Sequence, residues 1–289
     1  MQTAFVVDDI QTPKHVLLRG LWFGPRRPKR VIIWIHGLGS SAFSRLPVYP
    51  YLVGKDTAVF AFNNRGTERV CEVKRMVGGK VRWIPGGSSQ ENFTDCVDDI
   101  EGAVRYAKKM GAKDVYLAGH STGCQKSVYW ASRMRGGRGV KGIILLAPLS
   151  DYASVVHQTG KKKLLAIGRR ARSLVAKGKG DELLADGLSH QLNTAQRFLS
   201  LYSGTGPEEI FTYWDPKRKP RALRSIRVPV LVLLAEKDEH SDRPARDIAD
   251  WFDGAIRAPH EVRIVDTTHS FRGEERKVAK EIRRFIASH

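Results

Sequence analysis

The chain has 289 residues, 42% hydrophobic and 27% charged, with 49 Lys and Arg against 30 Asp and Glu and a net charge of +19. That length allows one sizeable core or two small ones, and that balance excludes a disordered chain. No apolar run approaches the ~20 residues that span a bilayer, and Cys71, Cys96 and Cys124 are scattered without the spacing of a zinc site or a disulfide framework, so free thiols in a reducing cytoplasm are expected.

The opening Met1 to Asp9 lacks a basic start and a long apolar core, and is not expected to be a signal peptide. Residues 4–10 and 16–23 predict two strands about a polar turn, and a Pro- and Arg-rich linker follows at 24–29. Residues 31–35 are continuously apolar, as in a strand buried on both faces of a parallel sheet, and run into His36-Gly37-Leu38-Gly39-Ser40-Ser41. A second such strand is expected at 57–62. Residues 72–77 and 80–84 alternate about Gly78-Gly79 and predict a hairpin. Residues 90–110 predict a helix, with Phe93, Cys96, Val97, Ile100, Val104 and Ala107 on one face and Gly111 as its stop.

Further strands are expected at 114–118, 142–147, 228–235 and 261–265, with helices after Ser121 to about 135 and from about 273 to 287. Strands alternating with helices imply an α/β fold with a mostly parallel sheet. Between 150 and 227 this rhythm breaks: helical segments, basic runs and the aromatics Phe198, Tyr202, Phe211, Tyr213 and Trp214 replace the buried strands. The expectation is one domain over 1–289, with a helical cap inserted at 151–225.

The stretch Val115-Tyr116-Leu117-Ala118-Gly119-His120-Ser121-Thr122-Gly123-Cys124 carries Gly-x-Ser-x-Gly between a strand and a helix. In that context the serine sits on a strained turn, and side chains at Gly119 and Gly123 would collide with neighbouring backbone. A serine hydroxyl needs a base to take its proton, and the base needs an acid to orient it. Both follow later strands in the order Ser, Asp, His: Glu236-Lys237-Asp238 after 230–235, and Asp266-Thr267-Thr268-His269 after 262–265. Loops at the carboxyl ends of parallel strands open on one edge of the sheet.

With these motifs the chain resembles the α/β-hydrolase fold superfamily in its serine-hydrolase, esterase-like branch, from the N-terminal strands to the closing helix. Residues 62–66, 91–100 and 195–202 are similar to a poorly characterised group of small capped hydrolases. The resemblance implies an eight-stranded, mostly parallel sheet flanked by helices. It implies Ser121 as nucleophile, His269 as general base and acid, and Asp238 as the residue that orients the imidazole. It also implies an oxyanion hole from the backbone N–H groups of Leu38 and Thr122, with Gly39 as an alternative to Leu38. The expected activity is hydrolysis of a small carboxylic ester or thioester, as a carboxylesterase, without cofactor or metal; an amidase or peptidase would use the same residues. A basic binding protein that keeps the fold without catalysis is the reading from another class.

Other features have plainer readings. The runs Arg26-Arg27-Pro28-Lys29-Arg30, Lys161-Lys162-Lys163 and Arg169-Arg170-Ala171-Arg172 come without a nucleic-acid motif, so a solvated basic surface is expected rather than a specific nucleic-acid partner. His240 lacks metal-ligand spacing, Cys124 reads as a core thiol, and Arg65 as structural or anion-binding. Phe198, Tyr202 and Trp214 are candidates for the wall of a substrate pocket or for the core of the cap.

Overall fold

The computed structural model describes residues 4–184 and 192–289. Met1 to Thr3 of the opening stretch, and 185–191 of the expected cap, lie outside the described residues. Strands β1 (Ala4–Gln11) and β2 (Val16–Phe23) form the expected antiparallel pair, and β3 (Arg30–Ile35) follows the linker. A one-turn helix α1 (Tyr49–Leu52) leads to β4 (Thr57–Asn63), and the hairpin about Gly78-Gly79 is β5 (Cys71–Val77) and β6 (Lys80–Gly86). Helix α2 (Cys96–Lys109) precedes β7 (Asp114–His120), and α3 (Thr122–Arg133) leads to β8 (Gly142–Leu146).

Next come α4 (Asp151–Thr159), α5 (Lys161–Ala176), the two-residue strands β9 (Leu183–Leu184) and β10 (Asn193–Thr194), α6 (Ala195–Tyr202) and the single turn α7 (Arg221–Arg224). The chain then returns through β11 (Val230–Ala235), α8 (Ala245–Ala255), β12 (His260–Val265) and α9 (Glu275–Ser288).

One 10-stranded sheet runs in the order β12-β11-β8-β7-β3-β4-β2-β5-β6, with β1 on β2. From β4 to β12 the neighbours are parallel; the β2, β5 and β6 side is antiparallel. The eight strands of the expected sheet are all present, and the hairpin extends the same sheet through β2. Strand β7 explains why these runs are apolar throughout. Val115 and Leu117 face a core built with α2, α3 and α8, while Tyr116 and Ala118 face a second core built with α9. A strand covered on both sides has no solvent face to mark with polar residues.

Two elements depart from the sequence reading. Helix α2 begins at Cys96, not near residue 90; a 3-10 turn at Phe93–Asp95 leads into it, and Glu91 before that turn faces inward to Lys126 and Arg197. Helix α8 fills the stretch between β11 and β12 in addition to the expected elements; its Ile248, Ala249, Phe252 and Ala255 are buried.

Candidate active site

Ser121 stands between β7 and α3 with φ 55° and ψ −127°, a left-handed backbone unusual for a residue with a side chain. The turn is held by its own amide, which donates to the Leu146 carbonyl at 2.9 Å, and by its carbonyl, which accepts from Cys124 N–H at 2.8 Å. A Cβ on Gly119 would lie 2.3 Å from the Gly123 oxygen, and one on Gly123 would lie 2.2 Å from the Ile35 oxygen. Both glycines are therefore required by the close approach of α3 to β7 and β3.

The acid and the histidine arrive from the ends of β11 and β12. His269 Nδ1 and Asp238 Oδ2 are 2.8 Å apart. The other Asp238 oxygen accepts from His240 N–H at 3.0 Å, and Glu239 accepts from His269 N–H at 2.9 Å. Asp242, the nearby alternative, is paired with Arg243 at 2.9 Å, and Glu236 points to solvent. The His269 ring lies between two others, with His120 at 5.1 Å and His240 at 4.8 Å between centroids. His120 Nε2 donates to the His269 carbonyl at 2.9 Å, which fixes its tautomer. Burial first, then the charges of Arg45 and His269, push the His120 pKa well below the usual range, so it stays neutral beside His269.

Ser121, His269, Leu38, Thr122 and Tyr202 line one cavity of about 420 Å³. Helix α4 closes a side of it with Asp151, Ser154, Val155 and Gln158. Of Phe198, Tyr202 and Trp214, only Tyr202 borders this space. Phe198 is buried among Val155, Leu164, Ala171 and Leu201, which hold α4, α5 and α6 together. Trp214 packs against Tyr152 with the rings tilted at 45° and centroids 4.5 Å apart, and donates to Glu209 at 2.9 Å, away from the cavity.

Cys124 is fully buried, its thiol donating to the carbonyls of Gly119 at 3.1 Å and Leu146 at 3.2 Å, and burial pushes its pKa well up. It is a core thiol. Arg65 meets Asp95, Asp98 and Asp99 and so braces the start of α2. Among the described residues no group of His, Cys, Asp and Glu could hold a metal ion, and no helix is long and apolar enough to cross a membrane. The basic runs at 26–27, 161–163, 169–170 and 172 are solvent-exposed.

Sequence reasoning missed a buried ionic chain behind the cavity. Lys126, one turn into α3, donates to Glu91 at 2.7 Å and to Asn64 at 3.0 Å. Glu91 also meets Arg197 of α6 at 2.8 Å, and Arg197 meets Glu208 at 2.6 Å. Burial alone would raise the Glu91 carboxyl, but Lys126 and Arg197 outweigh it and hold the pKa below its ordinary value. The available signal was Arg197 itself, a charged residue on the same face of its helix as Leu201.

Residues 86–284 match the profile of a family described as "Protein of unknown function (DUF1749)". The chain belongs to that family. None of the curated proteins matches its sequence. Solved structures resemble it over almost its whole length. The siderophore hydrolase EstB from Aspergillus fumigatus has a TM-score of 0.69 at 17% identity, covering 99% of this chain and 98% of that one. The α/β hydrolase GrgF from Penicillium sp. sh18 has a TM-score of 0.68 at 13% identity, covering 100% and 99%. Est1E from Butyrivibrio proteoclasticus has a TM-score of 0.61 at 16% identity, covering 99% and 98%. At such identities the likeness is one of fold, and the fold is that of the α/β hydrolases.

Proposed function

We propose that the protein is a serine hydrolase that cleaves a carboxylic ester or thioester through Ser121, His269 and Asp238. The observation that carries this reading is the 2.8 Å contact between His269 Nδ1 and Asp238 Oδ2 at the cavity that also exposes Ser121 on its strained turn. Ester chemistry is favoured over other hydrolysis because one protein of similar fold, Pf2001 from Pyrococcus furiosus, is an esterase.

In this reading His269 Nε2 takes the Ser121 proton as Oγ attacks the carbonyl carbon. The oxyanion that forms is met by the N–H groups of Leu38 and Thr122, and the positive end of α3 lies beneath it. His269 then protonates the leaving alkoxide, and the C–O bond breaks to give an acyl-enzyme. Water, deprotonated by the same histidine, attacks the acyl carbon and frees the acid and Ser121. The described residues of the segment, 151–184 and 192–225, act as a cap over the site.

Labelling with a fluorophosphonate tests this. A single adduct on the peptide containing Ser121 is expected, with Ser121→Ala losing both label and turnover by about 10⁴-fold or more. Asp238→Asn should keep the fold and lower kcat by about 10³–10⁴, since the imidazole loses its orienting partner. An adduct elsewhere, or normal turnover by Ser121→Ala, overturns the reading.

A further inference from the structure

The cavity also contains two arginines that the chemistry above does not use. Arg45 stands at the end of the loop after β3, just before a 3-10 turn at Leu46–Val48, and Arg69 is exposed at the rim. Three other inward arginines have carboxylates, since Arg65 meets Asp99, Arg197 meets Glu208 and Arg243 meets Asp242, whereas Arg224, away from this cavity, has a sealed and unpartnered Nε like that of Arg45. Among the described residues Arg45 has none within ion-pair distance, and its Nε is sealed from solvent without a hydrogen-bond partner. A half-buried guanidinium that lines a cavity without a carboxylate partner leaves its charge open to an anion bound there.

The surroundings keep that charge available. Glu275 acts on Arg45 only at a distance, and Arg272 opposes it with like charge. Arg45 is the second cause, after burial, of the lowered His120 pKa, so its field reaches the ring next to Ser121. The carboxylates at and behind the cavity, Asp151 in its lining and Asp238 behind His269, do not cancel it. Asp238 is committed to His269 and the His240 amide. Asp151 accepts from Gln125 at 2.8 Å, and burial, then Glu208 and Glu209, push its pKa well up, which reduces its negative charge near neutrality.

We propose that the ester taken by this site carries a free carboxylate, on the acyl or the alcohol side of the scissile bond, and that Arg45 selects it, with Arg69 at the rim. The inference rests on the serine-hydrolase reading. Arg45 inside the cavity, with Arg69 only at its exposed rim, suits a monoanion, and its planar fork matches a carboxylate edge. Selection works in both directions: a neutral chain end placed there would desolvate the guanidinium without pairing its charge.

Two matched ester pairs test it, each differing by a carboxylate in place of a terminal methyl. Monomethyl adipate against methyl hexanoate puts the carboxylate on the acyl side. Acetoxyhexanoate against hexyl acetate puts it on the alcohol side. In at least one pair the carboxylate member should have the higher kcat/KM by about tenfold or more. Arg45→Gln should bring that ratio toward about one, chiefly through KM, and Arg45→Lys should restore part of it. A second measurement does not depend on the variants or on turnover: adipate should protect Ser121 of the native protein from fluorophosphonate, and hexanediol should not. Turnover of the neutral esters without a carboxylate preference, a ratio that survives Arg45→Gln, or no protection by adipate overturns this inference and leaves the hydrolase reading standing. No turnover of any ester together with no labelling of Ser121 is the failure of that reading, and this inference falls with it.

Discussion

Two walls of the cavity are held in different ways. The wall at the sheet edge is set by backbone: Ser121 at positive φ, Gly119 and Gly123 at distances no side chain tolerates, and a hydrogen bond into β8. The opposite wall, α4 and the end of α6, is tied back to the core by side-chain charge through Arg197, Glu91, Glu208 and Lys126. Steric constraint of the first kind is written in five consecutive residues. The charge network joins residues more than a hundred positions apart, and its strength depends on every member being present. The first wall should therefore be insensitive to the loss of any one charge, and the second should fail when one is removed.

Arg197→Met breaks that second wall most directly. It leaves Glu91 and Glu208 buried with fewer partners, and the cost of stranding a buried charge is typically about 3–5 kcal/mol. The urea midpoint should fall accordingly. The double change Arg197→Met with Glu208→Gln should recover part of the loss, because the stranded carboxylate is gone. A single-variant cost under about 1 kcal/mol would mean that apolar packing among Phe198, Leu201 and Leu164, not charge, holds α6 in place.

The sheet-edge wall has a titratable member of its own. His36, fully buried after β3, accepts from Asn64 N–H at Nε2 and donates from Nδ1 to the Gly37 carbonyl. Burial, reinforced by Lys126, lowers its pKa from 6.5 to about 4. The unfolded chain binds a proton near 6.5 and the folded chain does not until about 4, so the unfolded state takes up the extra proton between those values. The stability is fully present above about pH 6.5 and is lost as pH falls toward 4, by on the order of 3 kcal/mol in total. Replacing His36 with Gln should flatten that part of the stability–pH curve. An unchanged slope would assign the acid sensitivity to the carboxylates of the charge network.

The same contrast explains what was legible in the sequence. Strand runs buried on both faces, the glycines around Ser121, and the placement of Asp238 and His269 after successive strands are local patterns, and each can be read in a window of a few residues. The apolar face of α2 starts at Phe93 in the sequence, but residues 93–95 form a 3-10 turn, and spacing does not distinguish such a turn from the first turn of an α-helix. The aromatics of 195–214 could not be sorted from spacing alone. Phe198 and Tyr202 lie four residues apart on one helix, one inside its packing and the other at the cavity. Arg45 was not singled out because nothing near it in sequence distinguishes a cavity arginine from the many solvated ones in so basic a chain.

That pair of aromatics gives the smallest expected effect and the sharpest boundary between the two walls. Their rings meet edge to face at 5.4 Å and 69°, so either substitution disturbs the other ring, yet only Tyr202 borders the cavity. Tyr202→Ala enlarges the space beside Ser121 and removes apolar contact from a longer acyl chain, while a short chain never reaches it. The ratio of kcat/KM for hexanoate over acetate esters should change by about fivefold, in line with the discrimination that a few methylenes provide in a pocket. Phe198→Leu keeps volume and polarity and should cost less than about 1.5 kcal/mol of stability. Its ester ratio should stay within about twofold of the native one, because its surroundings are Val155, Leu164, Ala171 and Leu201 and not substrate. Equal shifts in both variants would mean that the substrate reaches past Tyr202 into the packing of α4, α5 and α6, and that this wall opens during turnover.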